Sequence, residues 1–212
     1  METPKRTRCI AIRSLLYQGT SFQAANIRAT IFHNRVTKGV VLLQVRNLTR
    51  ASVLLALGIV LPSLFHLSGI PGQVFLPMHI PALLGGFLLG SGESFLLGVV
   101  LPPVNFLVSG MPPFPNFLVM MGELGMYGLA SSLFFRRLRW GIVPSLFGAM
   151  LLGRVVAIFG YFVLFAILGR DFGVLSLLQS LFVVSLPGIA IQLVAVPGLT
   201  TLILNREAAR NL

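Results

Sequence analysis

Charge is scarce in this chain: 10% of its 212 residues are Asp, Glu, Lys or Arg, and only five are acidic. Soluble domains average about 25% charged residues, so a water-exposed globular surface is a poor fit. Cysteine is nearly absent; the one thiol, Cys9, excludes an intrachain disulfide framework. No GxxxxGK[ST] occurs, so the chain has no phosphate-cradling loop of its own for ATP. HExxH is missing too. A six-span serine protease would need GxSG and a later histidine. The "SG" pairs at 68–69, 91–92 and 109–110 lack the preceding glycine, and no histidine follows His79. Glu207 and Asp171 belong to no catalytic pattern. An enzyme is therefore not expected, and neither cofactor nor metal is implied.

Hydrophobic residues make up 56% of the chain, and the mean hydropathy is +0.92. Recurrent long apolar runs point to an all-α integral membrane protein. Six segments are expected to form a transmembrane bundle: about 48–67, 77–90, 92–109, 114–135, 142–168 and 177–204. The second is short, and "GSGE" joins it tightly to the third, so the two form a hairpin that does not fully span alone. Residues 1–45 read as a basic cytoplasmic arm, 46–206 as the membrane domain and 207–212 as a short cytoplasmic tail. The longest apolar run of the arm, "GVVLLQV", is too short for the core of a cleaved leader.

The net charge of +11 could signal nucleic acid, but its placement argues for topology instead. With both termini in the cytoplasm, the cytoplasmic pieces hold fourteen cations and the external loops one, Arg170. Arg154 is left inside a span. That bias satisfies the positive-inside rule. Lipid is thus the expected environment, and nucleic acid is not an expected partner.

Small residues recur at helical spacing. Ser145, Ala149, Gly153 and Ala157 stand four apart, and Gly122, Gly125 and Gly128 three apart. Such faces let helices approach closely in lipid. Ser52 and Ala56 form a similar patch near the start of the first span. Pro62, Pro102, Pro103, Pro187 and Pro197 are expected to break their spans, which frees carbonyls that need other donors.

Polar residues inside spans are costly unless paired or used. Glu123 lies roughly 14 Å into the fourth span and Arg154 roughly 18 Å into the fifth, counting 1.5 Å per residue. They either pair with each other or face a polar ligand. Asn116, Met120, Glu123 and Tyr127 share one helical face. Asn105, Tyr161, Gln192, Gln179, His66 and His79 add further polarity. Most of it gathers in the outer half, and a cavity open to the exterior explains that economically.

"PMHIP" (77–81), "GMPP" (110–113) and "ELGMYG" (123–128) occur in order. With these motifs, residues 48–204 resemble the substrate-binding S components of energy-coupling factor (ECF) vitamin importers. "GSGESF" and "LPPVNFLVSG" depart from that pattern, which leaves the ligand open. The resemblance implies a six-helix fold that captures a water-soluble vitamin or precursor outside. It also implies two kinds of partner, a transmembrane coupling protein and two ATP-binding cassette ATPases. The substrate-binding candidates are His79, Asn105, Asn116, Met120, Glu123, Tyr127, Arg154, Tyr161 and Gln192. The resemblance makes Ser52 and Ala56 coupling-protein docking candidates and the loop at about 67–77 a gate. Two alternatives stand beside it. Related nickel and cobalt components begin with Met-His-Ile, but here that triplet is internal and offers no free amine. A non-transporting membrane scaffold would use its polar residues only to pair with one another.

Overall fold

A computed structural model of the chain describes residues 45–69, 72–169 and 173–210. Residues Leu48–Leu212 form one compact unit, and nearly all of the other, Met1–Asn47, lies outside the described residues. So do the expected basic arm and Arg170. The described residues are all-helical, in chain order α1 (Val45–Leu67), α2 (Gly72–Phe75), α3 (His79–Leu88) and α4 (Ser91–Ser109). There follow α5 (Asn116–Arg136), α6 (Ile142–Leu168), α7 (Val174–Leu178), a π-helical turn (Gln179–Val184) and α8 (Leu186–Arg210). Five of them, α1, α4, α5, α6 and α8, are long and apolar enough to cross a membrane.

The second expected segment is the short α3. Its ten residues rise about 15 Å, half of a hydrocarbon core of about 30 Å. Nine of them are buried inside the bundle. The chain turns at once from α3 into α4. Gly90 is extended and donates its N–H to Glu93 Oε2 at 3.1 Å, which places a carboxylate at the start of α4, where the helix dipole favours it. The last carbonyls of α3 have no intrahelical donors. Two arginines supply them: Arg50 bonds Leu88 O at 3.3 Å and Arg136 bonds Phe87 O at 3.2 Å. Arg50 also pairs with Glu207 at the far end of α8.

Helix α5 is the centre, packed against α3, α4 and α6. Half of its apolar window is buried, against 11% for α1. Its contact with α4 is backbone on backbone. A side chain at Gly98 would run into the Leu124 carbonyl, and one at Gly128 into that of Ser94. Ser94 Oγ closes the seam by donating to Gly128 O at 3.1 Å. On α6, the small-residue stripe Ser145, Ala149, Gly153 and Ala157 is buried. Gly153 accepts the ring of Tyr127 against its backbone. The stripe thus works as helix packing of the kind lipid demands.

The prolines do not break the helices as expected. Helices α1, α4 and α8 run on through Pro62, Pro102, Pro103 and Pro197. Neighbouring groups in a bundle can re-satisfy the carbonyls a proline frees, and Pro62 shows how. It cannot donate to Gly58 O, four residues back, and Asn105 Nδ2 on α4 does so at 2.8 Å. Pro187 takes the second position of α8, where its missing N–H costs nothing. The real interruption is at Ser185, where the π-helical turn ends before α8. The sixth expected segment, 177–204, is therefore α7, the π turn and α8 in sequence.

Candidate functional site

A cavity of about 610 Å3 opens at the end of the bundle where α1 finishes and α3 and α5 begin. That size suits a ligand of vitamin dimensions, since small-molecule sites span about 300–1,000 Å3. Its wall takes Pro62 and His66 from α1 and Met111–Pro113 from the α4–α5 connection. Ser180, Leu181 and Ser185 come from the π turn and its end. Asn116, Met120 and Glu123 enter from one face of α5, at the steps of four and three that the sequence shows.

Glu123 and Arg154 meet at the cavity's buried end. Arg154 Nη1 donates to Glu123 Oε1 at 2.9 Å, and the side chains are 6% and 4% exposed. Tyr127 Oη donates to the same oxygen at 2.8 Å. Arg154 Nη2 reaches Ser185 Oγ at 3.2 Å, and Ser185 donates in turn to Leu181 O. One connected network therefore ties α5 and α6 to the π turn. A buried ion pair is tolerable only when its remaining hydrogen-bonding capacity is met, and here Tyr127 and Ser185 help meet it.

His79 stands at the first position of α3, between Pro77 and Pro81, and is 1% exposed. Pro81 falls in the first turn, where proline is tolerated. The imidazole packs on Tyr127, ring centroids 5.4 Å apart. Its Nε2 is 3.7 Å from Glu123 Oε1, too far for a hydrogen bond. Neither ring nitrogen has a hydrogen-bond partner.

Of the nine residues singled out from the sequence, His79, Asn116, Met120, Glu123, Arg154 and Tyr161 line the cavity. The other three stand elsewhere. Tyr127 lies behind Glu123, fully buried, and acts on it through its hydroxyl. Asn105 serves the Pro62 gap in α1. Gln192 is buried off the wall, with Nε2 unpartnered. Ser180, Ser185 and the proline rings were not anticipated from the sequence. The only sequence signal for Ser185 is its place two residues before Pro187, at the start of a helix. The expected gate falls partly outside the described residues; Gly69, Leu76 and Pro77 line the cavity. Ser52 and Ala56 are exposed on α1. No group of three or more metal-ligating side chains occurs among the described residues.

Among the described residues, an all-helical bundle with five helices of crossing length and a cavity at one end has the architecture of a multi-pass membrane protein. A family model described as ECF transporter, substrate-specific component, matches residues 46–200. The chain belongs to that family, a transporter component rather than an enzyme class. Such components work with an energy-coupling module of transmembrane and ATPase subunits. No curated protein and no solved structure matches the chain.

Proposed function

We propose that this chain is the substrate-capture subunit of an ECF-type importer. It binds a water-soluble vitamin or vitamin precursor from outside the cell and passes it inward with a coupling protein and two ATP-binding cassette ATPases. The observation that carries this reading is the cavity itself, with a buried, hydrogen-bonded Glu123–Arg154 pair at its inner end. A scaffold needs the ion pair but has no use for about 610 Å3 of space beside it.

The topology follows from charge. Arg50 and Arg136 gather at the end of the bundle opposite the cavity, joined by Arg137 and Arg139 just after α5 and by Arg206 near the end of α8. The positive-inside rule puts that end in the cytoplasm, so the cavity faces out. Both termini are then cytoplasmic, and α7 with the π turn and α8 acts as the sixth span. The exposed Ser52 and Ala56 lie on α1 toward the cytoplasmic end, where a coupling protein would pack. The metal reading is weaker. The carboxylate beside His79 is already bonded to Arg154, and the described residues bring no three His, Cys, Asp or Glu side chains together, a poor donor set for nickel or cobalt.

Native mass spectrometry of the purified chain, with extraction of bound small molecules, tests the proposal. A vitamin-sized molecule on the wild type that is missing from Glu123→Ala supports capture. No ligand in either, and no stabilisation by a vitamin panel, favours the scaffold.

A further inference from the structure

The charges in the cavity wall already answer each other. Among its described residues the one carboxylate and the one guanidinium, Glu123 and Arg154, pair at 2.9 Å, while the imidazoles of His66 and His79 carry charge only when protonated. The guanidinium is committed on both sides, Nη1 to Glu123 and Nη2 to Ser185. It is not presented as the free fork that grips a carboxylate or phosphate in two parallel bonds. Glu123 Oε1 likewise holds two donors, Tyr127 and Arg154. A ligand with a net charge would bring an unanswered ion into a site otherwise lined by residues such as Leu76, Met78, Met111 and Met120. Burying an unpaired charge is far costlier than burying a polar group that finds its hydrogen bonds.

Among the described residues of the wall, His79 is the one with fully buried side-chain nitrogens that have no hydrogen-bond partner, whereas buried polar atoms are as a rule paired. Glu123 Oε1 does not serve Nε2: it lies 3.7 Å away and already holds its two donors. A neutral imidazole offers one donor and one acceptor on different sides of the ring. Its natural complement is a ligand with both functions, such as a hydroxyl, an amide or a heterocyclic nitrogen. The thioethers of Met78, Met111 and Met120 suit a flat ring beside them, since sulfur packs well on aromatic edges.

We infer, resting on the capture role proposed above, that the cavity selects a net-uncharged small molecule whose donor and acceptor groups are read by His79. An anion held on Arg154 is not its substrate. Asn116, Tyr161 and Ser180 add further uncharged hydrogen-bonding groups to the wall.

The test uses the full chain in lipid nanodiscs. Bound small molecules are extracted from the wild type and their net charge is determined. Affinities are then measured for two matched probe pairs, nicotinamide with nicotinate and pantothenol with pantothenate, and for any extracted molecule. The expected result is an uncharged molecule in the extract and preference for the neutral member of any pair that binds. In His79→Leu the affinity should fall at least tenfold, with partial recovery in His79→Gln. If His79→Leu does not fold, His79→Gln and the charge of the wild-type ligand decide. A charged ligand, a preferred anionic probe, or full affinity in folded His79→Leu overturns the inference and leaves capture standing. No extracted molecule and no probe bound removes the capture reading, and this inference with it.

Discussion

The Asn105–Gly58 bond allows a quantitative test of how this bundle accommodates proline. Asn105→Leu keeps the volume and removes the donor that Gly58 O receives at 2.8 Å and Leu101 O at 3.1 Å. A buried acceptor left alone costs about 1–3 kcal/mol, while hydrogen bonds between membrane helices average about 0.6 and reach about 1.7 kcal/mol. Asn105 Oδ1 has no partner of its own, so its removal offsets part of the loss. The expected destabilisation is about 1–2 kcal/mol, or a fall of about 2–8 °C in Tm at the usual 2–4 °C per kcal/mol for chains of this size. Pro62→Ala in the same background returns a backbone N–H four residues after Gly58. The cycle of wild type, two single variants and the double variant subtracts what alanine gains in a helix by itself. It should leave a favourable coupling of at least about 0.5 kcal/mol. Thermal unfolding in one detergent, read by intrinsic fluorescence or differential scanning, gives all four values. Additive effects, or no loss in Asn105→Leu, would refute the idea that Asn105 stands in for the missing proline donor. Ligand binding should survive Asn105→Leu, because the residue is off the cavity wall.

Glu123→Gln alone strands Arg154 and should cost about 3–5 kcal/mol in thermal unfolding, as broken buried pairs do. Glu123→Gln with Arg154→Gln should cost less than the single change, while both lose ligand. Gly98→Leu drives a side chain into the α5 backbone at Leu124 and should lower Tm by the equivalent of at least about 1–3 kcal/mol; Gly92→Ala, which meets open space, should leave it unchanged. Ser52→Trp with Ala56→Trp should keep ligand affinity in vitro and abolish uptake in cells carrying the energy-coupling module.

The apolar runs disclosed the helices well, because lipid imposes a length and a composition on every span. The run at 142–168 is α6 to the residue, and of the face Asn116–Met120–Glu123–Tyr127 the first three residues line the cavity while Tyr127 is buried behind Glu123. Prolines misled, since their effect depends on what a neighbouring helix offers; nothing local in the run around Pro62 announces Asn105, 43 positions on. For the same reason Asn105 looked like a ligand contact. Depth counting brought Glu123 and Arg154 to one level, but only packing shows that Tyr127 turns onto Gly153 and supports Glu123 from behind. The π turn carries no periodic signature of its own, so Ser180 and Ser185 were hidden inside an ordinary apolar stretch.

Import by this chain is open to a direct uptake assay. The molecule extracted from the purified chain is supplied, isotopically labelled, to cells that carry an energy-coupling module with or without this chain. Accumulation is predicted only when both are present and ATP is available, and it should vanish with Glu123→Ala. Equal accumulation without the chain would mean that it is not the importer's capture subunit.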